Sequence, residues 1–321
     1  MSSAAGVFIA TLVTLTLIKS TPIIYAALGG VISERAGIVN IGLEGMMAGG
    51  AFTAVVFSGM TGSPIVGLLA GIGAGALLGF VLGFAATVFK VDQIVAGTGI
   101  NLVALGGAAF ALMLLYNQPG ASPQVNALGS SYWILVAVAF VCALLLHAVL
   151  YYTPWGLRVR ACGENPRAVH DAGLHPLRLR LYEVIISGAL AGLGGAFLSI
   201  GEVNIYSDGM TAGRGFIALA AVIFGRWTPW GATGAAIFFV VTLIAAGSYM
   251  MRKRQIKLRA EQAAKSAAHN MLADPMVVAA GLQIVRAIGV KKLIPILAVG
   301  GLALGLLASR GQSSPGEAPA E

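Results

Sequence analysis

Residues 33–45 read Ser-Glu-Arg-Ala-Gly-Ile-Val-Asn-Ile-Gly-Leu-Glu-Gly, set between the apolar stretches "STPIIYAALGGVI" (20–32) and "MMAGGAFTAVVF" (46–57). Glu34, Arg35, Asn40 and Glu44 therefore interrupt a run that otherwise suits lipid. A charge at the bilayer centre costs about 2.5–3.5 kcal/mol on insertion scales, so such groups face protein or a water-filled cavity. The stretch is a break between membrane segments, and its polar residues need partners or water.

The rest of the composition agrees. Of 321 residues 58% are hydrophobic and 10% charged, with a mean hydropathy of +0.87. Soluble domains carry about 25% charged residues. The 44 glycines suit closely packed helices in lipid. The net charge is +8, and the basic residues cluster: five arginines from Arg158 to Arg180, then "RKRQIKLR" at 252–259. Clusters flanking apolar spans mark cytoplasmic loops. They lack interleaved aromatics, which argues against nucleic-acid binding. Cys142 and Cys162 give no disulfide framework. The N-terminus lacks a basic region and a small-residue cleavage site, and reads as a first membrane segment.

With about 20 apolar residues needed per helical span, the expected segments are Val7–Ile32, Gly45–Ser58, Ile65–Phe89, Ile94–Tyr116, Trp133–Tyr152, Tyr182–Ile200 and Gly231–Met250. A shorter piece, Gly215–Phe224, reads as a re-entrant or half helix, which membranes tolerate where protein or water surrounds it. The fold class is all-α, a polytopic membrane protein of about eight segments. If the Arg158–Arg180 loop is cytoplasmic and Gly215–Phe224 does not cross, Gly231–Met250 returns inward. "TGSP", "NQPGASPQVN", "TPWG" and "GRWTPWG" read as separating turns. Residues 251–308 form a basic amphipathic segment with a marginal span at Ile294–Ala308, and 309–321 a disordered tail.

Within the cytoplasmic loop 153–181, Gly163-Glu164-Asn165-Pro166 has the chemistry of a helix start: Asn165 as N-cap and Pro166 at the first position. A short helix should follow over Arg167–Ala172, closed by Gly173, with Arg167, His170 and Asp171 facing out.

Four blocks, "LGGVISERAGIVNIGLEGMMAGGAF", "DQIVAGTGINLVALG", "TPWGLRVRACGENPRAVHDAGL" and "MTAGRGFIALAAVIFGRWTPWGA", together resemble the permease subunit of bacterial ABC importers. The branch resembled serves simple sugars and nucleosides. The resemblance covers about residues 12–236, and the sequence departs from the family pattern near Ala236. It implies that Gly163, Glu164, Asn165, Pro166, Arg167, Ala168, Asp171, Ala172 and Gly173 form the coupling helix that docks on the ATPase. It also implies three partners besides the bilayer: a cytoplasmic ATP-binding subunit, a periplasmic or lipoprotein solute-binding protein, and a second permease subunit. The implied location is the bacterial inner membrane. One point stands independently: the chain has no Gly-Lys dipeptide, so it carries no GxxxxGK[ST] phosphate loop, and ATP would have to be hydrolysed by another chain.

Asn40 and Glu44 are four apart and would share a helical face. They either line a solute pathway or serve structure, Asn40 by hydrogen bonding a neighbouring helix. Glu34 and Arg35 are expected to pair locally. Asp92 and Gln93 open a helix, where capping is the expected role; Gln93 and the deeper Asn101 are also pathway candidates. Neutral amides suit an uncharged polyol or nucleoside. Arg214 is either functional or an anchor, and His147, alone on an apolar span, is expected to be packed. No metal site, cofactor or catalytic constellation is expected. The reading is an ATP-driven import permease for a nucleoside or simple sugar. Its rivals are a secondary transporter, which would place carboxylates at mid-span beside broken helices, and a non-transporting scaffold from a truncated or fused permease.

Overall fold

The computed structural model describes residues 2–126 and 128–273, together with 276 and 283. Two compact units divide the chain, Met1–Ala246 and Gly247–Glu321. The expected span at 294–308 and the tail at 309–321 lie outside the described residues.

Ten α-helices make up the described chain: α1 Ser2–Arg35, α2 Leu43–Thr61, α3 Pro64–Thr87, α4 Gln93–Tyr116, α5 Tyr132–Tyr152, α6 Pro154–Glu164, α7 Pro166–Asp171, α8 Pro176–Ala196, α9 Arg214–Phe224 and α10 Pro229–Ala273. A π-helical stretch, Phe197–Val203, prolongs α8. Seven helices are long and apolar enough to cross a membrane, and α9 is the shorter apolar one. No strand occurs among the described residues beyond an isolated bridge between Ala121 and Ser207. The chain is thus the polytopic all-α membrane protein that its sequence indicates.

Prolines mark starts more often than stops. Thr153 and Thr228, in stretches that read as turns, accept from Gly156 and Gly231, and Pro154 and Pro229 open α6 and α10. A proline at the first helical position has no hydrogen bond to lose.

Small residues decide how the first unit packs. In α3 the buried positions Gly67, Gly71, Gly75, Gly79 and Gly83 recur every fourth residue, which puts them on one face. From Gly71 to Gly83 that face lies on α8, where Gly188 and Gly192 answer it, while Gly67 lies against Ala54 and Ser58 of α2. A Cβ on Gly75 would run into the Gly188 carbonyl, and one on Gly192 into the Gly71 carbonyl. Backbone approach of this kind is how helices associate in lipid, where apolar burial gives no drive. The second half of α1 runs through the middle of the bundle, with Ile24 to Leu28 fully buried and Tyr25 donating to the Leu135 carbonyl.

The path after α8 departs from the expected topology. Tyr206 packs edge-on against Phe52, with ring centroids 5.3 Å apart. Seven residues later the Gly213 amide reaches Glu44, which lies two turns along α2 from Phe52, about 12 Å. The 11-residue α9 adds about 16 Å. Loop and half helix together cover about 28 Å, close to the roughly 30 Å hydrocarbon core. Non-helical backbone can make this descent because it is tied down: Ser122 donates to the Tyr206 carbonyl, Val125 to Asn204 and Asp208 to Gly120. The turn 225–228 therefore comes to the end of α1 that carries Arg35. From there α10 runs away again, past Arg35 at Gly231–Ala235 and on to the level of Lys19 at Val240–Ile244. The expectation that Gly231–Met250 returns inward is overturned. It treated the ten-residue helix as the whole crossing and left out the loop before it.

Arg35, Lys90, the Arg158–Arg180 arginines and Arg226 all belong to connections at this one end of the first unit. Within this unit the positive-inside rule assigns that end to the cytoplasm; the 252–259 basic cluster belongs to the second unit.

Candidate functional site

The polar stretch 33–45 is not helical throughout. Residues 36–42 form two turns around a short irregular segment between α1 and α2, so Asn40 and Glu44 do not share a helical face. Each finds its own partners. Asn40 is fully buried; its Nδ2 donates to Ser187 Oγ on α8 at 2.9 Å, and its Oδ1 has no partner. Glu44, 4% exposed, accepts from the Gly213 amide at 2.8 Å and the Gly215 amide at 2.6 Å. It caps the N-terminus of α9, where a carboxylate also meets the positive end of the helix dipole.

The α4 residues complete the arrangement. Asn101 Oδ1 accepts from the Gly45 amide at 2.7 Å while its Nδ2 donates to the Ile41 carbonyl at 2.9 Å. Gln93 Oε1 accepts from the Val39 amide at 2.8 Å. Asp92 caps α4 by accepting from Ile94 and Val95. Asn40, Glu44, Gln93 and Asn101 thus gather around the interruption between α1 and α2; Gln93 and Asn101 bond backbone groups that this interruption leaves open, and Glu44 bonds those at the start of α9.

Glu34 and Arg35 do not pair with each other. Glu34 accepts from Trp227 Nε1, and Arg35 donates to the carbonyls of Trp227 (2.8 Å) and Arg226 (3.5 Å) and to Tyr151 Oη (3.3 Å). Their object is the turn between α9 and α10, where Arg226 and Trp227 both hold left-handed backbone, φ 55 and 53. Two consecutive non-glycine residues there are costly, and these contacts hold the turn in place. Lys19 pairs with Glu202, the one ion pair among the described residues. In the sequence Lys19 is an interruption of α1 and Glu202 a loop residue, and nothing in their spacing links them.

The arginine-rich loop 153–181 carries the short helix read from the sequence. Asn165 Oδ1 accepts from Arg167 and Ala168, Pro166 opens α7, and Gly173 follows it at φ 80. Glu164, Asn165, Arg167, Ala168, Asp171, Ala172 and Gly173 are exposed, while Gly163 and Pro166 are half-buried. Beneath, Cys162, Val169 and Leu179 form a small core of their own. Burial pushes the Cys162 thiol above its ordinary value, and the Arg180 guanidinium opposes this. Sequence reasoning missed Arg180. Its Nε donates to the Ala36 carbonyl at 3.0 Å and its Nη2 to the Cys162 carbonyl at 3.3 Å. It joins α8, the end of α1 and α6. At the same junction a Cβ on Gly163 would strike the Arg35 carbonyl, and Gly37, at φ 88, lies against Gly163. His147 packs against Tyr151, with ring centroids 4.7 Å apart and the planes tilted by 37°, as a packed residue would.

A cavity of about 320 Å³ opens between α1, α9 and α10, lined among others by Lys19, Ile23, Arg214, Ile217 and Val240. Arg214 Nη1 donates to the Met210 carbonyl at 2.6 Å and to Thr211 at 3.4 Å. No group of three His, Cys, Asp or Glu side chains able to hold a metal ion occurs among the described residues.

A helical membrane bundle with a half helix capped from a neighbouring span, and with a braced basic loop at one end, is the architecture of a transport permease. Comparison with known proteins places it more closely. Residues 12–266 match the family described as "Branched-chain amino acid transport system / permease component", and the chain belongs to that family. The match reaches beyond Ala236, where the four recognisable blocks end. Among curated proteins the chain is similar to the guanosine ABC transporter permease protein NupQ of Bacillus subtilis, 39% identical over 71% of this chain and 79% of that protein. It is 38% identical to the nucleoside ABC transporter permease protein NupC of Lactococcus lactis, over 70% and 78%. It is 33% identical to the putative glucose ABC transporter permease protein TsgC13 of Haloferax volcanii, over 71% and 73%. No solved structure matches. Membership makes the chain a transport component and favours neither an ion-driven transporter nor a scaffold.

Proposed function

We propose that the chain forms one half of the translocation pore of an ATP-driven importer in a bacterial inner membrane, and that its solute is a nucleoside. The likeness to NupQ and NupC, both above the identity to the glucose relative, supports the choice of solute. A separate ATPase subunit docks on Gly163–Gly173, a solute-binding protein delivers from outside, and a second permease subunit completes the pore.

The observation that carries this reading is the Arg180 junction. A helix as short as α7 moves the membrane helices only if it is tied to them. Arg180 and the Gly163–Arg35 contact supply that tie, to α8 and to the end of α1. Closure of the ATPase pair would then pull on α1, whose Glu34 and Arg35 hold the α9–α10 turn. Asn40, Glu44, Gln93 and Asn101 belong to the pathway as the groups that keep its wall in shape at the α2 and α9 breaks. This permease forms and breaks no covalent bond.

Ala168 and Asp171 are exposed on α7 and bond nothing else through their side chains among the described residues. In the complete importer, Ala168→Arg with Asp171→Arg should leave the permease folded, abolish co-purification of the ATPase and reduce guanosine uptake at least tenfold. Full ATPase binding by this variant would refute the docking site.

A further inference from the structure

The end of the first unit that carries Arg35 holds an open cleft of about 660 Å³, lined among others by Arg35, Phe224, Arg226, Gly234 and Phe238. No acid is among the described residues that line it. Arg35 gives Nε and Nη2 to Trp227, Arg226 and Tyr151, and its Nη1 has no acceptor among the described residues. The guanidinium of the exposed Arg226 has no acceptor there at all. The neighbouring acid, Glu34, is engaged away from the cleft: one oxygen accepts from Trp227 Nε1 and the other is buried. The carbonyls that end α9 are taken within the turn, Val222 by Trp227, Ile223 by Arg226 and Gly225 by Thr228. α10 begins at the cleft, with Gly231 in its lining, so the positive end of its dipole adds to the two guanidiniums. Arg226 is held here in spite of its backbone, since it and Trp227 are both left-handed. Such strain concentrates at ligand clamps and switch regions.

Beside the cations the wall is aromatic. Phe224 and Phe238 stack with their planes 8° apart and are exposed at 69% and 53%. Gly234 leaves open space, since a Cβ there would meet nothing within 4 Å. The exposed Trp227 and Trp230 bracket the start of α10, as the aromatic belt at a membrane interface does. A ligand matched to this cleft is anionic at one end and apolar at the other. A bilayer supplies one: arginine forks pair with phosphate oxygens, and basic pockets between spans take anionic headgroups. A zwitterionic lipid adds an ammonium that meets no acid in the lining. Free phosphate leaves the aromatic wall uncovered.

We propose that this cleft binds an anionic phospholipid, with Arg35 and Arg226 on its phosphate and an acyl chain along Phe224 and Phe238. The lipid shares with Glu34 and Arg35 the holding of the 225–228 turn. The assignment is independent of the solute carried.

The test uses the purified full chain in neutral detergent, titrated with phosphatidylglycerol, phosphatidylcholine or glycerol phosphate. Native mass spectrometry counts lipid adducts and subunits together. Two variants address the cleft: Arg226→Gln removes an exposed guanidinium that has no partner to lose, and Gly234→Leu fills the open space. Wild type should hold one phosphatidylglycerol more than either variant, whatever the basic run at 252–259 binds in all three. The variants should need at least about fivefold more of this lipid to gain that adduct. Phosphatidylcholine should bind all three proteins alike, and without added lipid the variants should melt as wild type does. Equal phosphatidylglycerol binding by the three proteins would overturn the proposal. So would an adduct that glycerol phosphate displaces, since a free phosphate compound would then be the ligand. A dimer that Gly234→Leu dissolves without loss of lipid would also overturn it, since the cleft would then seat a second copy of the chain.

Discussion

Glu44 shows how a charge can be kept inside a membrane protein as a structural part. Its two oxygens take the amides of Gly213 and Gly215, and the start of α9 depends on them. Removing the carboxylate leaves two amides unpaired, the Gly215 one buried, and an unsatisfied buried donor costs about 1–3 kcal/mol. Glu44→Ala should therefore lower the melting temperature of the purified permease in detergent and abolish uptake, while Glu44→Gln, which keeps one acceptor oxygen, should lose less than half as much stability. A Glu44→Ala protein as stable as wild type would show that α9 starts without its cap. Cys162 supplies a residue-scale test of the loop. Its buried thiol sits above the ordinary 9.0, so at pH 7–8 it stays protonated and is a poor nucleophile. In a Cys142→Ala background, maleimide labelling at pH 7.5 should be at least tenfold slower in the native protein than after denaturation in SDS. The native rate should climb with pH toward the thiol's raised value and level off only beyond it. Equal rates in the native and denatured protein would mean that the Cys162–Val169–Leu179 core is not formed.

At the scale of the helix the sequence is legible in a particular way. Apolar length reveals the seven spans, and Asn165-Pro166 with Gly173 reveals α7, because capping and left-handed backbone are set by residues a few positions apart. What is not legible is anything set by contact between distant segments. Asn40 and Glu44 look like an i,i+4 pair, yet one bonds α8 and the other α9. Glu34 and Arg35 look like a local pair, yet both hold the 225–228 turn. Arg180 reads as one loop arginine among five. The glycines of α3 do carry a readable signal, their spacing of four, but their counterparts on α8 are found only once the helices are packed. That packing makes a sharp contrast within one helix. Gly75 faces the α8 backbone, whereas nothing lies within 4 Å of a Cβ placed on Gly73. Gly75→Val should prevent accumulation of folded permease. Gly73→Ala should be neutral or stabilising by up to about 1 kcal/mol, since alanine is the better helix former. Both can be read as monodisperse yield and melting temperature after extraction. A well-folded Gly75→Val protein would refute the α3–α8 interface.

For the first unit as a whole, the decisive matter is which connections share a side of the membrane, because the proposed ATPase docking and solute delivery require opposite ends. Gly163 against Arg35, Val39 against Gln93, and Arg35 against the 225–228 turn tie the α1–α2, α3–α4, α5–α8 and α9–α10 connections to one end. Asn126 against Gly62, and Val125 against Asn204, tie the α2–α3, α4–α5 and α8–α9 connections to the other. The arginines are concentrated at the first end, which the positive-inside rule assigns to the cytoplasm. Single cysteines at Thr228 and at Asn126 in a cysteine-free background separate this arrangement from one in which α9 fails to complete the crossing. In intact cells or right-side-out vesicles an impermeant maleimide should label position 126 and leave position 228 untouched until the membrane is permeabilised. Labelling of 228 from outside would return α10 to the opposite direction and place its first turns away from the end that carries α7. Protection of 228 would instead leave α9 as the element linking the two ends. Its N-terminus is held by Glu44 and its C-terminal turn by Glu34 and Arg35, and Arg35 lies against Gly163, so a displacement of the 163–173 loop has a route through α1 to both ends of α9.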